Sequence, residues 1–166
     1  MFLRRKINID KKRVTSVTLS PVICESGTML HMFKQKNIEI DFSARHTLDT
    51  LFCNQVPCDV HVCVSFVSPA GLGFDDGAIL SDIYKHGKKS GLQVINPQAF
   101  LSLCLCHDRW HEKEKVTFAS TPFYGKDESP LIFSMKTFNC KKIITAEPAY
   151  KYLSWNKDNL FVFLES

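Results

Sequence analysis

Two cysteines and two histidines lie within one short stretch of this sequence, CLCHDRWH, which runs from residue 104 to residue 111. Thiolate and imidazole are the usual ligands of structural zinc, and a cysteine with a histidine also forms the nucleophile and base of thiol-dependent hydrolases. The stretch therefore raises two chemical hypotheses. The candidate zinc ligands are Cys104, Cys106, His107 and His111, and the candidate catalytic residues are Cys106, His107 and His111.

The spacing of these residues fits neither site well. His107 and His111 would face one metal ion only on a helix, whereas Cys104 and Cys106 would share a face only on a strand. A reactive cysteine also needs a histidine that a third group orients, and immediate neighbours in sequence rarely face one another. The pattern favours thiols packed in a core and followed by a polar turn, so we expect no zinc or other cofactor.

The polar end of the same stretch has the composition of a recognition surface. Arg109, Trp110 and His111 are adjacent, and Trp and Arg are enriched among the residues that dominate protein interfaces. If this stretch has a function, we expect it to be the binding of a protein partner through these three side chains. The alternative is that Trp110 packs into the core.

A cluster of positive charge marks the N-terminus. Basic side chains bind phosphate, so the cluster raises the hypothesis of nucleic-acid binding. The formal charge of the whole chain, +4, is small for a nucleic-acid-binding domain. Residues 7–9 and 14–19 have strand composition, which favours instead the solvated ends of a hairpin within residues 1–20. The candidate phosphate-binding residues are Arg4, Arg5, Lys6, Lys11, Lys12 and Arg13.

The composition predicts one soluble domain over residues 1–166. Hydrophobic residues make up 45% and charged residues 23%, as in an average globular protein. No window approaches the ~18 consecutive apolar residues of a membrane span, and the N-terminus lacks the apolar segment of a secretory signal. The 7 cysteines are an odd number, and several lie in apolar runs, as reduced thiols do in a cytosol. We therefore expect a cytoplasmic protein that does not enter membranes.

The order of the predicted elements indicates the α+β class. Short helices are expected over 29–36, 43–52, 76–90 and from 97 onward, and Asn37 is expected to end the first. Strand patterns cover 14–19, 38–40, 60–65 and 92–95, and they dominate the last third over 116–119, 131–138, 142–145 and 160–164. Helices in the first two-thirds followed by a mainly antiparallel sheet are typical of a single α+β domain.

Three helix starts are assigned from their capping residues. Ser43 is expected to cap the second helix, and Asp75 or Asp76 the third. Asn96 followed by Pro97 is a typical N-cap with its first helical residue.

The run Gly71–Ala78, followed by Ile83-Tyr84 and Gly91-Leu92, resembles a segment LGF-x-x-GA…IY…GL shared by a group of small bacterial proteins. The resemblance covers roughly residues 65 to 165 and closes on Trp155 and the strand FVF. It implies a bacterial intracellular protein and no particular reaction. Where this chain reads LCLC, the similar proteins read LRLQY, so the resemblance implies no shared metal site built on these thiols.

These observations favour a non-catalytic binding or regulatory module. The carboxylates show no paired motif that would locate acid–base hydrolysis. Two alternatives stay open: a metal- or thiol-dependent hydrolase that uses the stretch from residue 104 to residue 111, and a protein that binds nucleic acid through its basic N-terminus.

Overall fold

A computed structural model of the chain describes residues 14–19, 26–51, 60–106, 115–125 and 127–165. None of the helices in these ranges is both long enough and apolar enough to cross a membrane. The elements in chain order are β1 (Val14–Leu19), α1 (Ser26–Gln35), β2 (Ile38–Ile40), α2 (Phe42–Leu51), β3 (Val60–Val67), a 3-10 turn (Ala70–Leu72), β4 (Ala78–Ile79), α3 (Leu80–Lys89), β5 (Leu92–Gln93), α4 (Pro97–Cys106), β6 (Val116–Phe118), β7 (Phe123–Tyr124), β8 (Pro130–Phe138), β9 (Lys141–Pro148), β10 (Ser154–Trp155) and β11 (Leu160–Glu165).

Most of the described strands join one mixed sheet. Its order is β1-β3-β11-β6-β8-β9-β2, with β5 beside β11 and β7 beside β8. The pairs β11–β6 and β2–β9 are parallel, and the other pairs are antiparallel. Strands β4 and β10 form a separate ladder. The predicted α+β class is thus confirmed, with strands dominating the C-terminal third.

Three helices cover one face of the sheet. Phe33 of α1, Leu48 of α2 and Phe100 of α4 belong to one buried cluster with strand residues such as Phe118 and Phe133. The ring of Phe100 lies 4.5 Å from each of the last two rings, stacked on Phe133 and edge-on to Phe118. Because each buried Phe removes a large apolar area from water, this cluster stabilises the layer that also supports α1 and β2.

Helix α3 covers the opposite face. Its residues Leu80 and Ile83 share a second buried cluster with Phe161 and Phe163 of β11. Successive residues of β11 therefore alternate between the two clusters, since Val162 belongs to the first. This is the period-2 burial of a strand that is covered on both faces.

Two capping predictions were wrong. Asp41 rather than Ser43 caps α2, because the Asp41 carboxylate accepts a hydrogen bond from the Phe42 N–H at 2.7 Å. Neither Asp75 nor Asp76 caps α3, which begins at Leu80 with no side-chain cap. Residues 78–79, between Asp76 and the first residue of α3, form β4 and pair with β10. The helix therefore begins later than its apolar spacing predicts.

The fourth helix and the end of the first were predicted correctly. The Asn96 side chain accepts the Ala99 N–H at 2.6 Å, and α4 begins at Pro97. Asn37 ends α1 in the left-handed region with a φ of 55°. Strand β1 pairs antiparallel with β3. Residues 1–13 lie outside the described residues, so the hairpin expected within residues 1–20 stays a prediction.

Candidate functional site

The stretch from residue 104 to residue 111 is described only as far as Cys106. Helix α4 ends there, so the backbone from Cys104 to Cys106 is helical and not the strand on which the two thiols would share a face. Cys104 is 1% exposed within the first core cluster. Burial raises the pKa of its thiol well above the usual value, and this outweighs the opposing effect of the Lys142 charge. Cys104 is therefore a packed thiol, as the spacing favours, and not a ready thiolate.

The remaining candidates of that stretch lie outside the described residues. The zinc, hydrolase and partner-binding hypotheses that depend on them stay predictions. The residues concerned are His107, Arg109, Trp110 and His111. The basic residues Arg4, Arg5, Lys6, Lys11, Lys12 and Arg13 lie outside as well, and nucleic-acid binding through them also stays a prediction. Within the described ranges, no group of three or more His, Cys, Asp or Glu side chains is placed to hold a metal ion.

A groove of about 530 Å³ lies beside β2, the last strand at one end of the sheet order. No motif in the sequence pointed to this groove. Helix α1, strand β2 and helix α2 all contribute to its walls. The lining residues are Leu30, Phe33, Lys34, Ile38, Glu39, Ile40 and Arg45.

A tight turn places α1 next to β2. The left-handed conformation of Asn37 reverses the chain immediately after the helix. Its side-chain amide then donates a hydrogen bond to the Cys140 carbonyl at 3.2 Å, and its own carbonyl accepts the Lys142 N–H at 3.3 Å. Asn tolerates this conformation better than most residues. One residue thus ends the helix and aligns the next strand with β9.

A second tight turn places α2 at the other wall. The carbonyl of Asp41 accepts the N–H groups of Ala44 and Arg45 at 3.0 Å, so the helix begins as soon as β2 ends. The Ser43 hydroxyl donates to the Asp41 carboxylate at 3.2 Å. Because the turn is so short, Arg45 in the first turn of α2 lines the groove that β2 borders.

The floor of the groove is apolar. Phe33 and Ile38 are buried, at 1% and 5% exposure, and Ile40 is half-buried against the same cluster. Leu30 is 36% exposed and lies beside these buried side chains. An occupant of the groove would therefore remove apolar surface from water.

The rim of the groove carries two positively charged side chains. Lys34 and Arg45 are exposed, and neither forms an ion pair with any part of the chain that the structure describes. The one acidic lining residue, Glu39, forms an ion pair with Lys141. The local charge is therefore positive.

The open side of β2 also offers backbone hydrogen-bonding groups. Asp41 donates its N–H to the Ile144 carbonyl at 2.9 Å, and Asn37 accepts from Lys142, so the odd-numbered residues direct their backbone groups towards β9. Because alternate residues of a strand point to opposite sides, Ile38 and Ile40 direct theirs away from β9. No described strand pairs with that side. Four backbone groups thus border the groove.

Sequence patterns could place β2 but not the groove. The alternation of residues 38–40 identifies the strand, and the helix signals on each side identify α1 and α2. The position of β2 at the end of the sheet depends on its pairing with β9, a strand about a hundred residues further along the chain.

Comparison with family models, curated proteins and solved structures finds no match to this chain.

Proposed function

We propose that this chain is a non-catalytic binding module of the bacterial cytoplasm, and that it holds a protein partner in the groove beside β2. The observation that supports this most strongly is the coincidence of three features at one place. The floor is apolar, the rim carries Lys34 and Arg45, which form no ion pair within the described residues, and no described strand pairs with the open side of β2. Apolar contact with a few placed polar groups is the usual chemistry of recognition sites.

The described chemistry gives less support to catalysis. Cys104 is buried with a raised thiol pKa, and the described residues contain no metal-ligating cluster. The hydrolase alternative therefore depends on Cys106, His107 and His111 alone, and the nucleic-acid alternative on the basic N-terminus. Partner binding through Arg109, Trp110 and His111 is compatible with the groove but has no described contact in its favour.

Selection from a displayed library of random peptides tests the proposal. The full-length chain is immobilised in two forms, the native sequence and Leu30→Asp, which places a charge over the apolar floor. Tyr124→Ser is the matched control, because Tyr124 is 71% exposed on β7 and does not line the groove. Thermal unfolding of all three chains checks that they are folded.

We expect the native chain and Tyr124→Ser to enrich the same peptides. Leu30→Asp should lose most of that enrichment, because the charge must be desolvated when a ligand covers it. Equal enrichment on Leu30→Asp, or none on the native chain, would contradict a ligand site in this groove.

A further inference from the structure

We infer that the ligand of this groove is an acidic, extended peptide that adds to the sheet as a strand along the open side of β2. The inference rests on the proposed function and names its ligand class. Three features of the groove support it: the backbone of β2, the apolar floor and the positive charge of the rim.

The backbone of β2 selects an extended chain. Ile38 and Ile40 direct their N–H and C=O groups to the open side, two residues apart along the strand. That spacing is about 6.6 Å, which matches the repeat of a second strand and not the 1.5 Å rise of a helix. Peptides that add to sheet edges in this way gain their affinity from main-chain hydrogen bonds.

The floor selects an apolar side chain. Every second residue of an added strand points to the same face of the sheet as Ile38 and Ile40. That face carries Phe33 and the half-exposed Leu30 of α1. An aliphatic side chain on this face of the peptide would cover Leu30 and extend the core cluster outward.

The rim selects negative charge. Lys34 and Arg45 flank the groove without described carboxylate partners, while the charge of Glu39 is balanced by Lys141. A second copy of this chain pairing through β2 would bring the same cations together, and like charges at close range oppose association. Carboxylates on the peptide would instead neutralise them. Charge complementarity therefore favours an acidic partner over self-association.

The neighbouring part of the sheet edge limits the length of the added strand. Beyond β2, the Ala146 N–H of β9 is already bonded to the Ser43 hydroxyl at 3.2 Å, and Pro148 has no N–H to offer. At this end of the sheet, the described backbone therefore leaves groups for a peptide to pair with only along β2. The matching segment is short, of the order of three to five residues, each residue advancing by about 3.3 Å.

Fluorescence anisotropy with one designed probe tests the inference. The probe is the labelled peptide Thr-Glu-Thr-Val-Thr-Glu-Thr, capped at both ends, with glutamates on the same face as the central valine. Its neutral control replaces both glutamates by glutamine. Two further controls carry N-methyl groups, one on the amides of valine and the second glutamate (peptide positions four and six), the other on the amides of the second and third threonines (peptide positions three and five).

We expect one N-methylated peptide to bind as the parent does and the other to bind at least about tenfold more weakly. Alternate amides of an added strand point alternately to β2 and to solvent, so only one pattern removes hydrogen bonds. Equal affinities of the two methylated peptides would overturn strand addition. This comparison needs no variant of the protein, so it stands whether or not any substitution disturbs the fold.

Reversing the charge of the two rim cations tests whether the ligand is acidic. Lys34→Glu with Arg45→Glu should weaken the acidic probe about tenfold and strengthen a matched peptide with lysines in place of the glutamates. Unchanged binding of both peptides, or equal affinity of the glutamine peptide for the native chain, would overturn the assignment of an acidic ligand. Absence of probe binding up to millimolar concentration would overturn it as well.

The two proposals fail in different ways. If library selection yields peptides that require Leu30 but the designed probe shows none of these effects, the groove binds a ligand of another class and the binding function stands. If selection yields nothing that depends on Leu30, the function itself fails.

Discussion

Two adjacent parts of the same sheet edge differ in whether their backbone hydrogen-bonding groups are blocked. Along β9, beyond the end of β2, the Ala146 N–H is bonded to the Ser43 hydroxyl, and Pro148 presents no donor. Along β2, the backbone groups of Ile38 and Ile40 face a groove with an apolar floor. Exposed strand edges invite association, and proteins usually block them. Within the described residues, the edge is thus blocked along β9 and left unpaired along β2, where it borders the groove.

The closed part and the open part depend on the same short turn. Asp41 caps α2 and orients it, and the first turn of α2 then carries Ser43 to β9 and Arg45 to the groove. Substitutions around this turn should therefore affect the part of the edge along β9 and the part along β2 differently. Substitutions in the floor of the groove should destabilise both parts.

The largest effect is expected from Phe33→Ala. Phe33 is almost fully buried and joins α1 to the cluster beneath β2. Its removal leaves a cavity, so the free energy of unfolding should fall by about 3–5 kcal/mol. Leu30→Ala, one helical turn away and partly exposed, is the control and should cost less than about 1.5 kcal/mol. Chemical denaturation measures both, and equal losses would show that Phe33 does not support the floor as described.

The next effect concerns two cysteines, one exposed near β2 and one buried in the core beneath the sheet. Cys140 is exposed at the hairpin tip beside Asn37, whereas Cys104 is buried and its thiol pKa is raised. Under native conditions Cys104 should react with a thiol reagent on the order of a thousandfold more slowly than Cys140, because it must await an opening of the core. Mass spectrometry of peptides after timed alkylation measures the ratio. Similar rates would place Cys104 outside the core.

A smaller effect is expected from Asp41→Ala. The substitution removes the N-cap of α2, which should cost about 1 kcal/mol. Asp41→Asn retains an oxygen acceptor and should cost only a few tenths of a kcal/mol. Urea denaturation of both variants measures the difference. If the two variants lose the same stability, the loss comes from charge rather than capping.

The smallest effect on stability is expected from Ser43→Ala, which opens the closed part of the edge. The Ala146 N–H loses its acceptor at an exposed position, so the free energy of unfolding should fall by about 0.5–1 kcal/mol. Hydrogen exchange at Ala146 should accelerate, while exchange at Asp41 should change little. Unchanged exchange at Ala146 would mean that Ser43 does not protect the edge.

The sequence predicted features that depend on near neighbours in the chain. Alternating valines predicted β3, Asn96 followed by Pro97 predicted the start of α4, and Asn37 predicted the end of α1. The burial of Cys104 also agrees with the spacing of its stretch. In each case the cause is a property of a few consecutive residues, such as side-chain period or tolerance of an unusual φ.

Features that depend on distant pairing could not be predicted. Asp75 and Asp76 have the composition of helix caps, but pairing of β4 with β10 delays the helix. Helix α2 begins at Phe42, so Asp41 is its N-cap, and the Ser43 hydroxyl inside the helix accepts the Ala146 N–H of β9 instead. The groove itself exists because β2 pairs with β9 on one side only. None of these long-range pairings leaves a local signal in the sequence.

Amide hydrogen exchange of the free chain, resolved residue by residue by NMR, tests the central claim most directly. If β2 is open, the N–H groups of Ile38 and Ile40 should exchange at least about a hundredfold faster than that of Asp41, which is bonded to the Ile144 carbonyl at 2.9 Å. If Ile38 and Ile40 are protected as strongly as Asp41, another part of the chain already covers the edge, and the groove is not a ligand site.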